Sequence, residues 1–262
     1  MSVRFSALTL AFVFIASALR AQSVEYAPGT TRYSVNTTAK GSQTTPMGNS
    51  DFELGVRQQV TLNIAKQAKD TMVATVTLDS IALSGGPAAG ADVSSLLGSK
   101  FVSMVSPTGH VYSTKAPEGG NPLVSQLADG ISRFLPAYRS NLKTGSTWSD
   151  TTSGKVTQQG MDVDRTVVSN FRVDGDTTIG GEKAFKISRA TSVKAAGSGT
   201  LQSTPVSMES TSTSNGAFFL SSKGVFLGGS SNDDVNVKVT ILAQGAEISM
   251  KQNAQTKIEP IR

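Results

Sequence analysis

Cysteine is absent from this chain of 262 residues, and histidine and tryptophan each occur only once. Without cysteine the protein has no disulfide, no thiolate metal site and no lipid anchor on a thiol. The single histidine, His110, excludes a His-rich zinc site, and the lack of cysteine excludes a Cys–His nucleophilic pair. The mature protein must therefore be held together by packing.

Charge is also scarce, because only 16% of the residues are charged and the formal net charge is +5. Removing Arg4 and Arg20 with the leader described next leaves 22 basic against 19 acidic residues. The basic residues are scattered singly and form no stripe, which argues against a nucleic-acid-binding surface. We therefore expect no nucleic-acid partner.

Long apolar runs are missing too. The apolar run at the start of the chain, Ala7 to Leu19, has about a dozen residues, whereas a transmembrane helix needs roughly 20. It follows the basic Arg4 and precedes small residues, which is typical of a secretory signal peptide. We predict a signal peptide over residues 1–21, with cleavage after Ala21 favoured and cleavage after Ala18 as the alternative. The mature protein is then exported, to the periplasm, the outer-membrane surface or the medium, and does not span a membrane.

Apolar and polar residues alternate with a period of two along most of the mature chain. Clear examples are Val60 to Ile64, Met72 to Leu78 and Val235 to Ile241. This alternation predicts strands with one buried and one solvated face, and it favours antiparallel pairing because parallel strands are continuously apolar. We predict a mainly β fold, built as a strongly curved antiparallel sheet or half-barrel.

Two hairpins share a sequence form. Ser106 to Gly109 and Ser221 to Gly224 each separate two apolar segments, and glycine supplies the positive φ that closes such loops. Both segments read Ser-x-x-Gly, then one residue and two apolar residues. The repeat is explained equally well by two related halves and by chance.

One amphipathic helix is predicted over Pro122 to Leu135. Asn121 is a suitable N-cap, Pro122 suits the first turn, and Pro136 prevents continuation. A shorter helical turn is predicted to start at Asp92 and to bury Leu96 and Leu97. The two helical segments are expected to cover one face or one open end of the sheet.

We predict one domain over residues 22–262. It comprises a strand set over 30–84, a helical crossover over 85–148 and a second strand set over 149–260. The Gly- and Pro-rich connections around the crossover are too short to separate two domains.

No constellation of catalytic residues is recognisable. The chain has no G-x-S-x-G elbow for a serine nucleophile, and His110 is interpreted as an ordinary exposed or edge-strand residue. The acidic segments Asp174 to Thr177 and Asn232 to Asp234 are interpreted as tight turns, because sequence proximity alone does not make an acid/base pair. We expect no enzymatic activity, no metal site and no cofactor.

The candidate binding residues come from the predicted helix and the aromatic residues after it. Trp148 opens a strand and is expected to share one apolar cluster with the helix. This cluster either anchors the core or lines a ligand cavity. The residues assigned to the cavity or its helical lid are Leu123, Leu127, Ile131, Phe134, Tyr138 and Trp148.

Three short motifs carry a resemblance: Leu135-Pro136, Lys143-x-Gly145-x-x-Trp148-Ser149-Asp150 and Gly181-x-x-Ala184-x-x-Ile187. Through these motifs the chain resembles uncharacterised exported β-rich bacterial proteins. The fold of those proteins looks like the half-barrel of bacterial lipoprotein carriers. The resemblance implies a bent antiparallel sheet plugged by helices. It implies no catalytic residue, and fold-level analogy does not establish a function.

Two functions are predicted from these features. The first is an exported, non-catalytic protein that binds a lipid, a lipoprotein acyl chain or another hydrophobic ligand in the curved sheet. The alternative is a structural or interaction protein of the cell envelope, which contacts an envelope protein through an exposed apolar patch and has no small-molecule ligand. An outer-membrane barrel fits less well because only 6% of the residues are aromatic.

Overall fold

The computed structural model of the protein describes residues 22–85, 92–117, 130, 134–158, 161–201 and 204–261. Strands dominate these residues, and a single 3-10 turn spans Ser94–Leu96 within them. The strands are β1 (Gln22–Ser23), β2 (Gly29–Thr45), β3 (Gly48–Ala68), β4 (Thr71–Ser84), β5 (Lys100–Val105), β6 (Val111–Lys115), β7 (Asn141–Leu142), β8 (Thr147–Gln158), β9 (Met161–Ile179), β10 (Glu182–Leu201), β11 (Thr204–Ser221), β12 (Phe226–Ile241) and β13 (Ala246–Ile261).

Eleven of these strands form one antiparallel sheet in the spatial order β6-β5-β4-β3-β2-β13-β12-β11-β10-β9-β8. The sheet is open, with β6 and β8 at its two edges. The remaining two strands, β1 and β7, pair with each other. The prediction of a mainly β, antiparallel fold is confirmed.

The sheet consists of two five-stranded meanders on either side of β13. Strands β2 to β6 form one meander and β8 to β12 form the other, and both run in the same order across the sheet. The two predicted hairpins join the fourth and fifth strands of their meanders and are confirmed. In each turn a serine Oγ accepts a 3.0 Å hydrogen bond from the backbone N–H four residues later, His110 to Ser106 and Val225 to Ser221.

Side-chain alternation gives the sheet two unlike faces. The core face carries side chains that are almost completely buried, among them Tyr33, Val60, Leu78, Ile187 and Leu220. The outer face is formed by the residues in between and is exposed. Because burying a large apolar side chain contributes about 1.5–3 kcal/mol, the core face is the main source of stability.

Two segments cover one end of the core face, which we call the covered half. Residues 24–27 lie between the two equivalent hairpin turns, where Tyr26 N donates to Pro107 O at 2.7 Å and Ala27 N donates to Gly224 O at 3.0 Å. The loop before β8 packs beside this segment through residues that join the same apolar cluster: Phe134, Leu135, Tyr138 and Leu142. The other end of the strands is called the distal half.

Two sequence predictions fall largely beyond the described residues. The signal peptide, residues 1–21, lies outside them, and so does the helix over 122–135 except for Gly130, Phe134 and Leu135. Gly130 has helical backbone, but Phe134 and Leu135 form a bend, so the prediction that the helix continues to Leu135 was wrong and the central helix is unsupported. Pro136 explains the bend, because a proline disfavours helical backbone at the residue before it. Among the described residues, no helix combines the length and apolar composition that a membrane span requires.

The short turn after Asp92 is confirmed as a 3-10 turn, and Asp92 Oδ1 accepts a 2.9 Å hydrogen bond from Ser94 N. Leu96 is buried as predicted, but Leu97 is 48% exposed, so its predicted burial was wrong. The difference follows from the turn ending there, because Leu97 already has extended backbone.

The two acidic turns predicted from Asp174 to Thr177 and from Asn232 to Asp234 were also wrong. The first segment continues β9, in which Asp174 is the extra residue of a β-bulge, and the second lies inside β12. In both places the backbone pairing with neighbouring strands outweighs the local preference for a turn. Tertiary context commonly overrides local preference in strands. The carboxylates of two of these aspartates accept hydrogen bonds within the sheet. The Ser188 hydroxyl donates to Asp174, and the Ser231 hydroxyl donates to Asp233.

Candidate functional site

Charge is segregated between the two faces of the distal half. Its outer face is rich in ionisable side chains, such as Lys194, Glu209, Lys238 and Glu247. On the core face of this half, the ionisable side chains of the described strand residues are Asp150, Arg165, Arg189 and Asp233. The distal core face therefore carries fewer charges than the outer face, and Arg165 is the ionisable residue that lies among its apolar side chains.

An apolar surface occupies most of this distal core face, and we call it the apolar floor. It runs along the strands for seven residues from Val193 to Gly199, about 20 Å at the usual rise per residue. Three of its members, Met161, Val163 and Val206, are buried and form a second apolar cluster. The half-buried members are Val167, Val193, Met208, Val235, Val237, Val239, Ile248 and Met250.

A band of hydroxyl groups separates the apolar floor from the covered half, and we call it the polar belt. It crosses the sheet perpendicular to the strands and is linked by hydrogen bonds between neighbouring strands. Thr37 bonds Thr256 at 3.0 Å, and Ser169 bonds Thr191 at 2.9 Å. The residues of the belt are Thr37, Ser169, Thr191, Ser214, Ser231, Asp233 and Thr256.

Arg189 lies where the polar belt meets the covering loop. It lines a small cavity together with Phe134, Phe218 and Phe226, and also an open depression across β8 to β11. The cavity has a volume of about 50 Å³, and one water molecule needs about 10–15 Å³ on the same measure, so the cavity has room for a few waters and not for an acyl chain. The depression has a volume of about 610 Å³, within the roughly 300–1,000 Å³ of small-molecule sites.

Aromatic side chains define the walls of these two spaces. Trp148 stacks on Phe171 in the depression, with ring centroids 5.1 Å apart and planes 11° apart. Phe134 closes the cavity and packs edge-on against Tyr33 at 5.3 Å and Phe226 at 5.8 Å. Such arrangements contribute about 0.5–1.5 kcal/mol beyond area burial, so the ring contacts stabilise both walls.

The predicted site residues are thus divided among different places. Phe134 lines the cavity and Trp148 lines the depression, but Tyr138 lies in the core beside Tyr26. Burial raises the pKa of both Tyr26 and Tyr138 above the usual value of 10.0. The other three predicted members, Leu123, Leu127 and Ile131, lie outside the described residues.

Sequence reasoning missed Arg189 and the polar belt. The signal was present in the alternation, because Phe185, Ile187 and Arg189 are spaced by two and therefore share one face of β10. His110, by contrast, lies where it was expected, exposed beside a hairpin turn, with its ring 5.7 Å from that of Tyr112.

No protein-family model matches the chain, and no curated protein matches it. Among solved structures, Neisserial surface protein A is similar at 8% identity and a TM-score of 0.18, over 87% of this chain and 98% of that chain. A DUF1329 family protein from Desulfovibrio piger is similar at 8% identity and a TM-score of 0.18, over 84% of this chain and 83% of that chain. Similarity this loose carries no argument about function.

Proposed function

We propose that this protein is an exported, non-catalytic binding protein whose core face holds an amphipathic lipid. The acyl chain lies along the apolar floor, and the polar end of the lipid meets the polar belt. The ligand class includes free lipids and the acyl chain of a lipoprotein. The signal peptide and a location in the periplasm or at the cell surface are part of the same proposal.

The observation that carries the proposal is the segregation of charge in the distal half. The outer face there is charged, while the core face of β12 beyond Asp233 carries the half-buried side chains of Val235, Val237 and Val239. A partly exposed apolar surface of this extent is typical of a binding surface. Its length of about 20 Å exceeds the ~15 Å depth of one bilayer leaflet, so a lipid chain has room along it.

We also propose that the sheet curves over its core face as a half-barrel and that its two meanders are related halves. Register irregularities in the described strands support the curvature, because bulges bend strands. They lie at Gln59/Val60, Lys66/Ala68, Met104/Val105, Lys186/Ile187 and Phe218/Leu220. The shared strand order and turn hydrogen bonds of the two meanders support their relation.

Lipid extraction from the natively exported protein, followed by mass spectrometry, tests the proposal directly. A fluorescent fatty acid then measures affinity for wild type and two variants of β12. Val237→Asp places a charge on the apolar floor and is expected to weaken binding about tenfold or more, since a buried charge is strongly unfavourable. Asn236→Asp places the same charge on the outer face and should bind as wild type does. Equal affinity of both variants would contradict the proposal.

An interaction function in the cell envelope is the second candidate, and one feature favours it. Met104 and Tyr112, near the β6 edge of the sheet, are 39% and 57% exposed. To test this candidate, the wild-type protein and a Met104→Asp/Tyr112→Ser double variant are each used to capture binding partners from an envelope extract. A partner retained only by wild type, together with no extracted lipid, would favour this candidate over lipid binding.

A further inference from the structure

Four hairpin connections lie side by side at the distal end of the sheet, and we call this edge the distal rim. They join β2 to β3, β12 to β13, β10 to β11 and β8 to β9. The last three end at one level, because Met161, Gly199, Val206 and Ile241 are cross-strand neighbours just before them. Thr44, at the end of β2, pairs with β13 beside them. Eight neighbouring strands reach this edge, which makes it about 34 Å wide at ~4.8 Å per strand.

The distal rim has no charged residue in its sequence. The segments that hold the four connections and the adjoining strand ends contain no Asp, Glu, Lys, Arg or His, and they are residues 41–50, 156–161, 195–208 and 239–246. The nearest carboxylate, that of Glu247, is compensated by Lys238 Nζ at 2.6 Å. An uncharged edge of this width sets the rim apart from the charged outer face of the same strands.

The opposite end of the sheet is different. Of the four hairpin turns there, three carry or adjoin charged residues: Lys69 and Asp70 between β3 and β4, Glu182 at the start of β10, and Lys223 between β11 and β12. The lack of charge is therefore a property of the distal rim and not of the hairpin turns in general.

Two large apolar side chains are exposed on adjacent turns of the distal rim. Met47, between β2 and β3, is 97% exposed, and Leu242, between β12 and β13, is 55% exposed. Hydrogen bonds hold the backbone of both, because Met47 N donates to Thr45 Oγ1 at 3.2 Å and Leu242 N donates to Pro205 O at 3.0 Å. Single exposed apolar residues are common on protein surfaces, but two on one uncharged edge are typical of an interaction site.

The apolar floor ends at this rim. Its buried members Met161 and Val206 lie in the last row before the turns. The other end of the core face is closed by residues 24–27 and the loop before β8. An acyl chain on the apolar floor thus has its open end at the distal rim, where no charged residue lies in its way.

We infer that the distal rim docks on the surface of a lipid bilayer, with Met47 and Leu242 inserted among the lipids. The inference rests on the proposed function, because the bound lipid passes between bilayer and apolar floor at this edge. A bilayer fits better than a protein partner, since the rim has no charge with which a protein could set the register of a contact. Without basic residues, docking is independent of anionic lipids. It is also transient, because two side chains bury less apolar surface than a myristoyl chain, which itself binds weakly.

Sedimentation of lipid-free protein with phosphatidylcholine vesicles tests the docking. We expect wild type to bind, equally well when phosphatidylglycerol is added and without weakening at high salt. Met47→Asp/Leu242→Asp should lower the partition coefficient about tenfold or more, since it places charges where apolar groups insert. Leu97→Asp/Tyr112→Asp changes two other exposed apolar residues, 48% and 57% exposed and outside the rim, and should bind as wild type does. If the rim double variant fails to fold, Met47→Asp alone replaces it.

The absence of cysteine allows a second measurement. An environment-sensitive dye on Met47→Cys should shift its emission to shorter wavelength with vesicles, whereas the same dye on Tyr112→Cys should not. Equal shifts at both positions, equal losses in the two double variants, or binding that requires phosphatidylglycerol would each overturn the inference. Wild type that binds no vesicle but captures an envelope protein through the rim would overturn the bilayer as partner. Lipid retained without vesicle binding overturns the docking and leaves the proposed function intact, whereas rim-dependent vesicle binding without retained lipid supports the docking and overturns the proposed function.

Discussion

The rings of Tyr26 and Tyr138 meet edge to face in the covered half, with centroids 5.1 Å apart and planes at 77°. Their hydroxyl groups are nevertheless in different situations. Tyr26 Oη donates to Pro136 O at 2.8 Å, whereas Tyr138 Oη is buried and has no hydrogen-bond partner among the described residues. The pair joins the N-terminal segment to the covering loop, so it contributes directly to closing the core.

Removing the two hydroxyl groups should therefore have opposite effects. Tyr26→Phe leaves the Pro136 carbonyl without its donor and is expected to lower the free energy of unfolding by about 1 kcal/mol. Tyr138→Phe removes a buried hydroxyl that lacks a partner and should leave the stability unchanged or raise it by about 1 kcal/mol. Urea denaturation followed by circular dichroism measures both. A larger loss for Tyr138→Phe than for Tyr26→Phe would show that Tyr138 has a polar role.

Stability should fall at alkaline pH because of the same tyrosines. Burial raises the pKa of Tyr26 and Tyr138 above the usual 10.0, so the folded state keeps them neutral while the unfolded chain ionises above that value. Their contribution is therefore complete below pH 10.0 and is lost as the pH rises above it. The urea midpoint should decrease as the pH rises from about 10 to about 11, and it should decrease less in Tyr138→Phe. An identical decrease in both proteins would assign the effect to other groups.

The strand content could be predicted from the sequence, because apolar and polar residues alternate wherever a strand has one buried face. Val60 to Ile64 and Val235 to Ile241 both lie in strands, as predicted. Strand length was underestimated from the sequence, because β3 extends to 21 residues by continuing through Asp51 and Glu53, whose side chains are exposed. Phe52, Leu54 and Val56 alternate with them and are half-buried, so the signal was present, and the pairing with β2 continues through it.

The candidate site was only partly predictable for a related reason. Trp148 could be singled out as the one tryptophan, but its partners Phe171 and Arg189 lie far away in the sequence. Their meeting depends on the register of β8, β9 and β10, which the turns and a bulge at Asp174 determine. An isolated arginine also carries no local signal of function. The face of the sheet on which its side chain lies is known only once the inward-facing residues of its strand are known.

Two glycines test how the hairpin turn holds the N-terminal segment. Gly224 and Gly145 both have positive φ, at 82° and 84°, but a Cβ at Gly224 would overlap the Glu25 carbonyl, while one at Gly145 meets nothing nearby. Gly145→Ala should cost about 1–2 kcal/mol from its left-handed backbone alone. Gly224→Ala should cost clearly more, because the segment around Glu25 must move. Urea denaturation compares the two, and equal costs would mean that the segment adjusts freely.

Trp148 gives a direct optical report of the depression, because the protein has no other tryptophan. Its ring is half-buried and stacked on Phe171, so acrylamide should quench its fluorescence only partly. Phe171→Leu removes the stacked ring and should shift the emission to longer wavelength and increase quenching, with a loss of about 0.5–1.5 kcal/mol for the ring pair beyond the lost burial. Emission and quenching that are the same in Phe171→Leu and in wild type would show that the stacked ring does not shield Trp148.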